Sequence, residues 1–315
     1  MRTFVLLLML CSAASAQPQE TADPLKNPDP EKALITADDV TLFWRAYDLW
    51  KNEAKADPAR LPEILQKEYL DKGSQGVKDF IPRRIVSAQH LAETILQDRA
   101  YYESTRSNDQ RIHNALPEIR RDFAKLKKLY PDAVFPPVYF VVGAVSSGGT
   151  SSEHGLMIGA EMLSDKNPLV PTTDPVAIVM HELTHFQQQH PDDNLLATCM
   201  REGAADFVAE LIAGRNINEQ NKPYGDAHEE ALWQKLQEDI KRKDRQNDWL
   251  YNYGEGKRVG PPDLGYYMGY KISQSLYQSA QDKSAAMRMI IEMRDPQKIY
   301  ELSGYGKRFS YQDVK

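Results

Sequence analysis

Two histidines four residues apart, with a glutamate beside the first, constrain this 315-residue chain more than any other feature: His181-Glu182-Leu183-Thr184-His185. On a helix, residues four apart lie about one turn apart on the same face, so both imidazoles can grip one ion. Glu182 is offset by about 100° from His181, so its carboxylate can reach a water on that ion without taking a ligand position. Zinc suits such a set, because it lowers the pKa of a bound water to about 7 and makes it a nucleophile. The flanking sequence supplies the helix. Asp174 can accept backbone N–H bonds at the cap and Pro175 fits the first helical position. The helix is expected to run to about Gln189 and to stop before Pro191.

A catalytic zinc needs three protein ligands and one open position. The metzincin spacing requires Gly and His at positions that hold Gln188 and Pro191 here, and His190 near the helix end reads as exposed. The next expected helix, from near Asp193 to Ala213 with Gly214 to end it, offers Glu202 and Asp206 four apart on one face. The residues between them, Gly203, Ala204 and Ala205, are small enough for close approach to the metal helix. Two carboxylates near Leu195, Phe207, Val208 and Leu211 would be costly to bury unpaired. Glu202 is therefore expected to bind the ion. Asp206 is expected to accept the free N–H of a ligand histidine, His181, and so fix its tautomer. The competing reading is a solvated acidic stripe that continues through Glu210.

The ends and the composition bound the rest. Arg2, the apolar run Phe4 to Cys11 and Ala14-Ser15-Ala16 give the pattern of a signal peptide over residues 1–16, so the chain is expected in the periplasm or outside the cell. Leu10 stands where a lipoprotein signal wants a small residue, so a lipid anchor is the minority reading. No later segment approaches the roughly 20 apolar residues that span a bilayer. Cys199 is the one cysteine left after the signal, so stability must come from a packed core, for which 41% apolar residues suffice. A net charge of −6 argues against a nucleic-acid partner.

Residues 17–35, rich in Pro, Asp, Gln and Lys, read as a flexible leader. Residues 36–130 read as a helical layer. Thr36 is expected to cap a helix carrying Val40, Phe43, Trp44, Tyr47 and Trp50. Further helices are expected over Pro58 to Leu70, Arg84 to Glu103, and up to Leu129 with Pro117 in its first turn or at a kink. Residues 131–315 read as the catalytic part. Val138 to Val142 is a strand, Ser146 to Ser152 a Gly/Ser loop, and Gly155 to Met162 a second strand. Later helices are expected over Tyr224 to Arg242 and Pro262 to Ala280. The expected fold over 36–315 is α+β and mostly helical, with a small sheet packed on the metal-binding helix.

The HExxH pentad followed by Glu202-Gly203-Ala204-Ala205-Asp206 resembles the gluzincin arrangement, HExxH then ExxxD, of thermolysin-like peptidases. The wider chain is similar to the bacterial family of predicted zinc-dependent proteases related to gliding-motility lipoproteins. Phe43-Trp44-Arg45-Ala46-Tyr47, Tyr69-Leu70-Asp71-Lys72-Gly73-Ser74 and Gly265-Tyr266-Tyr267-Met268-Gly269-Tyr270 carry that likeness. The resemblance implies a zincin-like site, and with it a zincin-like fold and Zn²⁺ on His181, His185 and Glu202, but not a substrate; a peptide or protein substrate is what the peptidase reading itself expects.

It also implies a Tyr or His from later in the chain that donates to the oxyanion of amide hydrolysis. Tyr267 and Tyr270, three apart, are expected to share a face toward the cleft, with Tyr266 aimed elsewhere. Ordinary aromatic core is the competing reading of each. In zincin-like folds the strand before the metal helix is an edge that pairs with extended substrate, a role that falls here on Gly155 to Ala160. The expected function is a zinc metallopeptidase with Glu182 as base. Its rivals are a non-catalytic envelope or binding protein with a structural metal site, which leaves Glu182 idle, and a zinc hydrolase of non-peptide amides or esters.

Overall fold

A computed structural model describes residues 23–53, 56–167, 174–189, 194–242, 244–254 and 256–309. The expected signal peptide and the first residues of the expected leader lie outside this set. The fold is α+β and mostly helical, with one small mixed sheet.

The sheet has four strands, β1 (Ile35–Thr36), β2 (Val138–Val141), β3 (Gly149–Ser152) and β4 (Gly155–Gly159), in the order β1-β2-β4-β3. β1 and β4 flank β2 in parallel, and β3 runs antiparallel to β4 with Gly149 opposite Ile158 and Ser152 opposite Gly155. Two expectations are corrected here. The Gly/Ser stretch is not all loop, since its second half is β3. And β4 is not an edge, because β3 covers it. Gly-Thr-Ser-Ser has one β-branched residue and no aromatic or aliphatic one to mark a strand, and pairing with the buried β4 makes it one.

The leader expectation is also corrected over the described residues. Arg120 donates to the carbonyls of Pro30 (2.9 Å), Glu31 (2.7 Å) and Ala33 (3.0 Å). Phe135 N–H donates to the Asn27 carbonyl at 2.7 Å. Thr36 pairs with β2 in β1, and its hydroxyl accepts from Asp38 N–H rather than capping deeper into the helix. Composition predicted a free leader because the segment buries little apolar surface. A guanidinium that gathers three carbonyls holds it, with little more apolar burial than Ala33 and Ile35 supply.

The N-terminal layer starts with the helix Asp38–Lys51, which buries Val40, Phe43, Trp44, Tyr47 and Trp50 as their spacing requires. The helix Gln75–Phe80 falls between the helices expected over Pro58 to Leu70 and Arg84 to Glu103. Ser74 caps it, and buried Asp39 in turn accepts from Ser74 N–H (2.9 Å) and hydroxyl (2.5 Å). It continues as a wide turn over Ile81–Ile85 and ends at Val86, in the left-handed region at φ 67°. The helix expected from Arg84 is therefore interrupted, restarting at Ala88 under a Ser87 cap. The helix Asn108–Leu129 continues through Pro117, which sits in its interior rather than in its first turn.

Three helices follow the sheet, Pro175–Gln187, Leu195–Ala213 and Leu264–Ser279, and the second packs against both of the others. The first is buried nearly all round, through Val176, Ile178, Val179, Met180 and Leu183, and lies on β3 and β4. The small residues of the second helix serve a different neighbour than expected. A side chain on Gly203 would overlap the backbone of Gly269 and Tyr270, and one on Gly269 would overlap the Cys199 carbonyl. Backbone-to-backbone contact thus joins the second and third helices.

Candidate metal centre

Local chemistry aims each ligand. Asp174 Oδ1 accepts from Val176 N–H (2.8 Å) and Ala177 N–H (2.9 Å), and Pro175 takes the first helical position. Its second oxygen meets Arg215 Nε at 2.5 Å, tying the start of the metal helix to the segment after the second helix. Asn194 caps the second helix through Ala197 N–H (3.0 Å), and Gly214 ends it at φ 79°. With both starts fixed, three ligand atoms converge. His185 Nε2 lies 2.9 Å from His181 Nε2 and 3.0 Å from Glu202 Oε2, and His181 Nε2 lies 3.7 Å from Glu202 Oε2.

The other ring nitrogens fix the tautomers. His181 Nδ1 donates to Asp206 Oδ1 at 2.9 Å, and Asn218 donates to the second Asp206 oxygen at 2.8 Å. His185 Nδ1 meets Gln188 Oε1 at 2.8 Å. The Gln188 amide nitrogen must donate, and does so to the Arg201 carbonyl at 2.8 Å, so its oxygen accepts from His185. With both Nδ1 atoms holding their protons, the two Nε2 atoms and a carboxylate oxygen face one another. Such a set needs a cation at its centre. Its edges suit zinc: ligand bonds of about 2.0–2.1 Å in a tetrahedron give edges of about 3.3 Å.

The electrostatics agree. Burial disfavours a charged His181, yet the Asp206 and Glu202 carboxylates outweigh it and push its pKa up to about 10. Burial likewise opposes a charged Glu202, but His185 and His181 hold it well below the usual carboxylate range. The site is a cation trap for which protons and metal compete. Glu202 Oε1, turned away from the imidazoles, accepts from the Tyr251 hydroxyl (2.6 Å) and from Arg201 Nε and Nη2 (3.2 Å each). This brace leaves Oε2 as the ligand atom. Tyr251 adopts φ 58°, in the left-handed region unusual for an aromatic residue, and Asp263 Oδ1 accepts from its N–H at 2.5 Å.

The ligands open on a cavity of about 410 Å³, walled also by Arg84, Gly148, Gly149, Glu182, Tyr251 and Tyr266. The Glu182 carboxylate makes no hydrogen bond or ion pair among the described residues, and it lies across Gly149 so closely that a side chain there would overlap it. The Tyr266 ring is parallel to that of His181, at 16° and 6.2 Å between centroids. No partner for the Tyr266 hydroxyl occurs among the described residues.

The expectation for the other two tyrosines is corrected. Tyr267 donates to Asp226 (2.8 Å) and Tyr270 to Glu210 (3.0 Å), and neither borders the cavity. Three apart, they do share a face, but it is the face away from the metal, and Tyr266 takes the inward one. Sequence reasoning missed Gln188, Arg201 and Tyr251. Gln188 carries a helical-spacing signal, three residues after His185. Tyr251 carries none, since a loop returns it to Glu202 from 49 residues away.

Residues 156–295 match the model of a family described as Predicted Zn-dependent protease (DUF2268). The matched stretch contains His181, Glu182, His185, Glu202 and Asp206, in line with the resemblance read from HELTH and EGAAD. It begins after β3, so that strand lies outside it. No curated protein and no solved structure matches the chain.

Proposed function

We propose that this chain is a zinc-dependent peptidase acting outside the cytoplasm, with the metal on His181, His185 and Glu202 and with Glu182 as the base. The observation that carries the reading is the convergence of those three ligand atoms beside a glutamate that no other group engages. A purely structural site would close its fourth position and would have no use for that carboxylate. When bound, the ion supplies Lewis acidity and acidifies the attacking water.

The chain's own groups do the rest. Glu182 takes a proton from the attacking water and returns it to the leaving amine. Tyr266, facing the cavity with its hydroxyl free, donates to the developing oxyanion. Asp206 and Gln188 hold the two rings in the tautomers that bare Nε2. The edge of β3 aligns an extended peptide by strand addition. The N-terminal Arg2, the apolar run and Ala14-Ser15-Ala16 support export.

The test is Glu182→Gln. We expect one zinc per chain in both proteins, and cleavage of a peptide library by the parent at least ~10²–10⁴ times faster than by the variant. A zinc-loaded variant that cleaves at the parental rate removes Glu182 from the mechanism. A zinc-loaded parent that cleaves no peptide removes the peptidase reading.

A further inference from the structure

β3 has two faces and one open edge among the described residues, and the pattern of its ladder says what an added strand would meet. Gly159 N–H donates to the Gly148 carbonyl at 3.0 Å, which makes that pair a hydrogen-bonded one. Antiparallel alternation then turns the backbone groups of Thr150 and Ser152 toward β4 and those of Gly149 and Ser151 toward the open edge. The faces alternate too. Gly149 lies against Glu182, on the side of the metal helix. Thr150, opposite Met157, belongs to the other side, where the helix Gln75–Phe80 packs.

On that second side lies a groove of about 470 Å³ between β3 and the segment from Lys78 to Arg84. Lys78 and Arg83 are exposed, and Arg84 is half-buried and also walls the metal cavity. None of the three pairs with a carboxylate among the described residues. Arg84 makes one long contact, 3.4 Å to the Ser146 carbonyl. Asp79, the nearest acid, is already engaged by His154 (2.8 Å), Ser152 (2.5 Å) and Gln75 (2.7 Å). Glu153 is the other acid on the wall. Three unpaired cations thus line one groove in a chain whose net charge is −6.

We propose that this groove receives an acidic side chain of the peptide substrate, so that the enzyme selects Asp or Glu on the N-terminal side of the bond it cuts. The inference rests on the peptidase reading above. Directly opposed residues in a sheet point their side chains to the same face. The substrate residue opposite Thr150 therefore points into the groove, while its neighbour opposite Gly149 points to the metal side. β3 runs from Gly149, at the metal, outward to Ser152, so an antiparallel substrate reaches the metal with its C-terminal half. The acidic residue consequently precedes the cleaved bond by about one to three positions. Antiparallel addition is the slightly stabler pairing.

The experiment uses zinc-loaded protein and quenched peptides that are identical except for Glu, Gln or Lys scanned through the positions before the cleaved bond. At one groove-facing position kcat/KM should favour Glu over Gln by roughly 5- to 10-fold, the size expected for a partly exposed carboxylate among two or three cations. The preference should shrink in high salt and vanish or invert in the double variant Lys78→Glu, Arg83→Glu. Equal rates for Glu and Gln at every position, or a preference that survives the double variant, overturn the proposal.

A second arm separates this failure from failure of the peptidase reading. Anisotropy of the same peptides, labelled, on zinc-loaded Glu182→Gln protein reads selection without turnover. Tighter binding of the Glu peptide, lost in the triple variant, upholds the groove even where the parent cuts nothing. Equal binding of Glu and Gln peptides sinks it.

Discussion

His181 donates through Nδ1 to Asp206 and presents Nε2 to the metal site, and the carboxylates that arrange this also make the ring a strong base. With its pKa pushed up to about 10, His181 in the metal-free protein holds a second proton at pH 7. Zinc must displace it. Titration calorimetry in buffers of different ionisation enthalpy should show about one proton or more released per zinc at pH 7, and an affinity that falls as pH drops. Heats independent of the buffer would contradict this. The sign for the metal-free fold follows from the same shift. The charged ring contributes stability that is fully present below its ordinary pKa of 6.5 and is lost as pH rises through about 10. At this scale the convergence of His181, His185 and Glu202 was legible in the sequence. Spacing alone puts Glu202 and Asp206 on one face, and the cost of burying two acids assigns them to the histidines. The brace on Glu202 was not legible, because Tyr251 reaches it only through the backbone of a loop held at φ 58°.

The elements that aim the site differ in how openly they announce themselves. Asp174-Pro175 and Gly214 declare the bounds of the two metal helices, since cap chemistry is local. β3 announces nothing: Gly-Thr-Ser-Ser has no apolar alternation, and its identity as a strand lies in β4 and in the room that Gly149 leaves for Glu182. The tyrosines of the third helix were misaimed for a related reason. Gly265 and Gly269 allow a close crossing, but which helix crosses there decides which way Tyr266, Tyr267 and Tyr270 face. The crossing partner is the second helix, through Gly203. Gly149→Ala tests the role of the edge. The added carbon displaces the Glu182 carboxylate, so we expect zinc content and melting temperature near the parent's and peptide cleavage lower by ~10²-fold, the usual cost of an ångström-scale misplacement. Parental activity in this variant would contradict the placement of Glu182 over β3.

Across the whole molecule, the mostly helical α+β class followed from helical patterning up to about Leu129 and the β-branched and aromatic run Val138 to Val142 after it. What composition hid was the docking of residues 23–36, which is made by backbone carbonyls on Arg120 and a two-residue strand, neither of which leaves an apolar trace. The two parts also meet at Glu161, whose carbonyl accepts from Tyr101 of the N-terminal layer at 2.7 Å. Burial pushes its carboxyl up to about 7, and one of its oxygens has no partner. The stability contributed by neutral Glu161 is fully present below its ordinary pKa of 4.5 and is lost as pH rises through about 7. Denaturant unfolding at pH 5 and pH 8 should show the parent losing ~1–3 kcal/mol that a Glu161→Gln variant does not lose. An unchanged slope would contradict it. The proposed chemistry requires one ion at one place, and anomalous scattering from a zinc-loaded crystal at the zinc edge measures this directly. It predicts a single strong peak about 2.0–2.2 Å from His181 Nε2, His185 Nε2 and Glu202 Oε2, with Glu182 beside it and unbound. A peak elsewhere, or one that Glu202 does not touch, would contradict it.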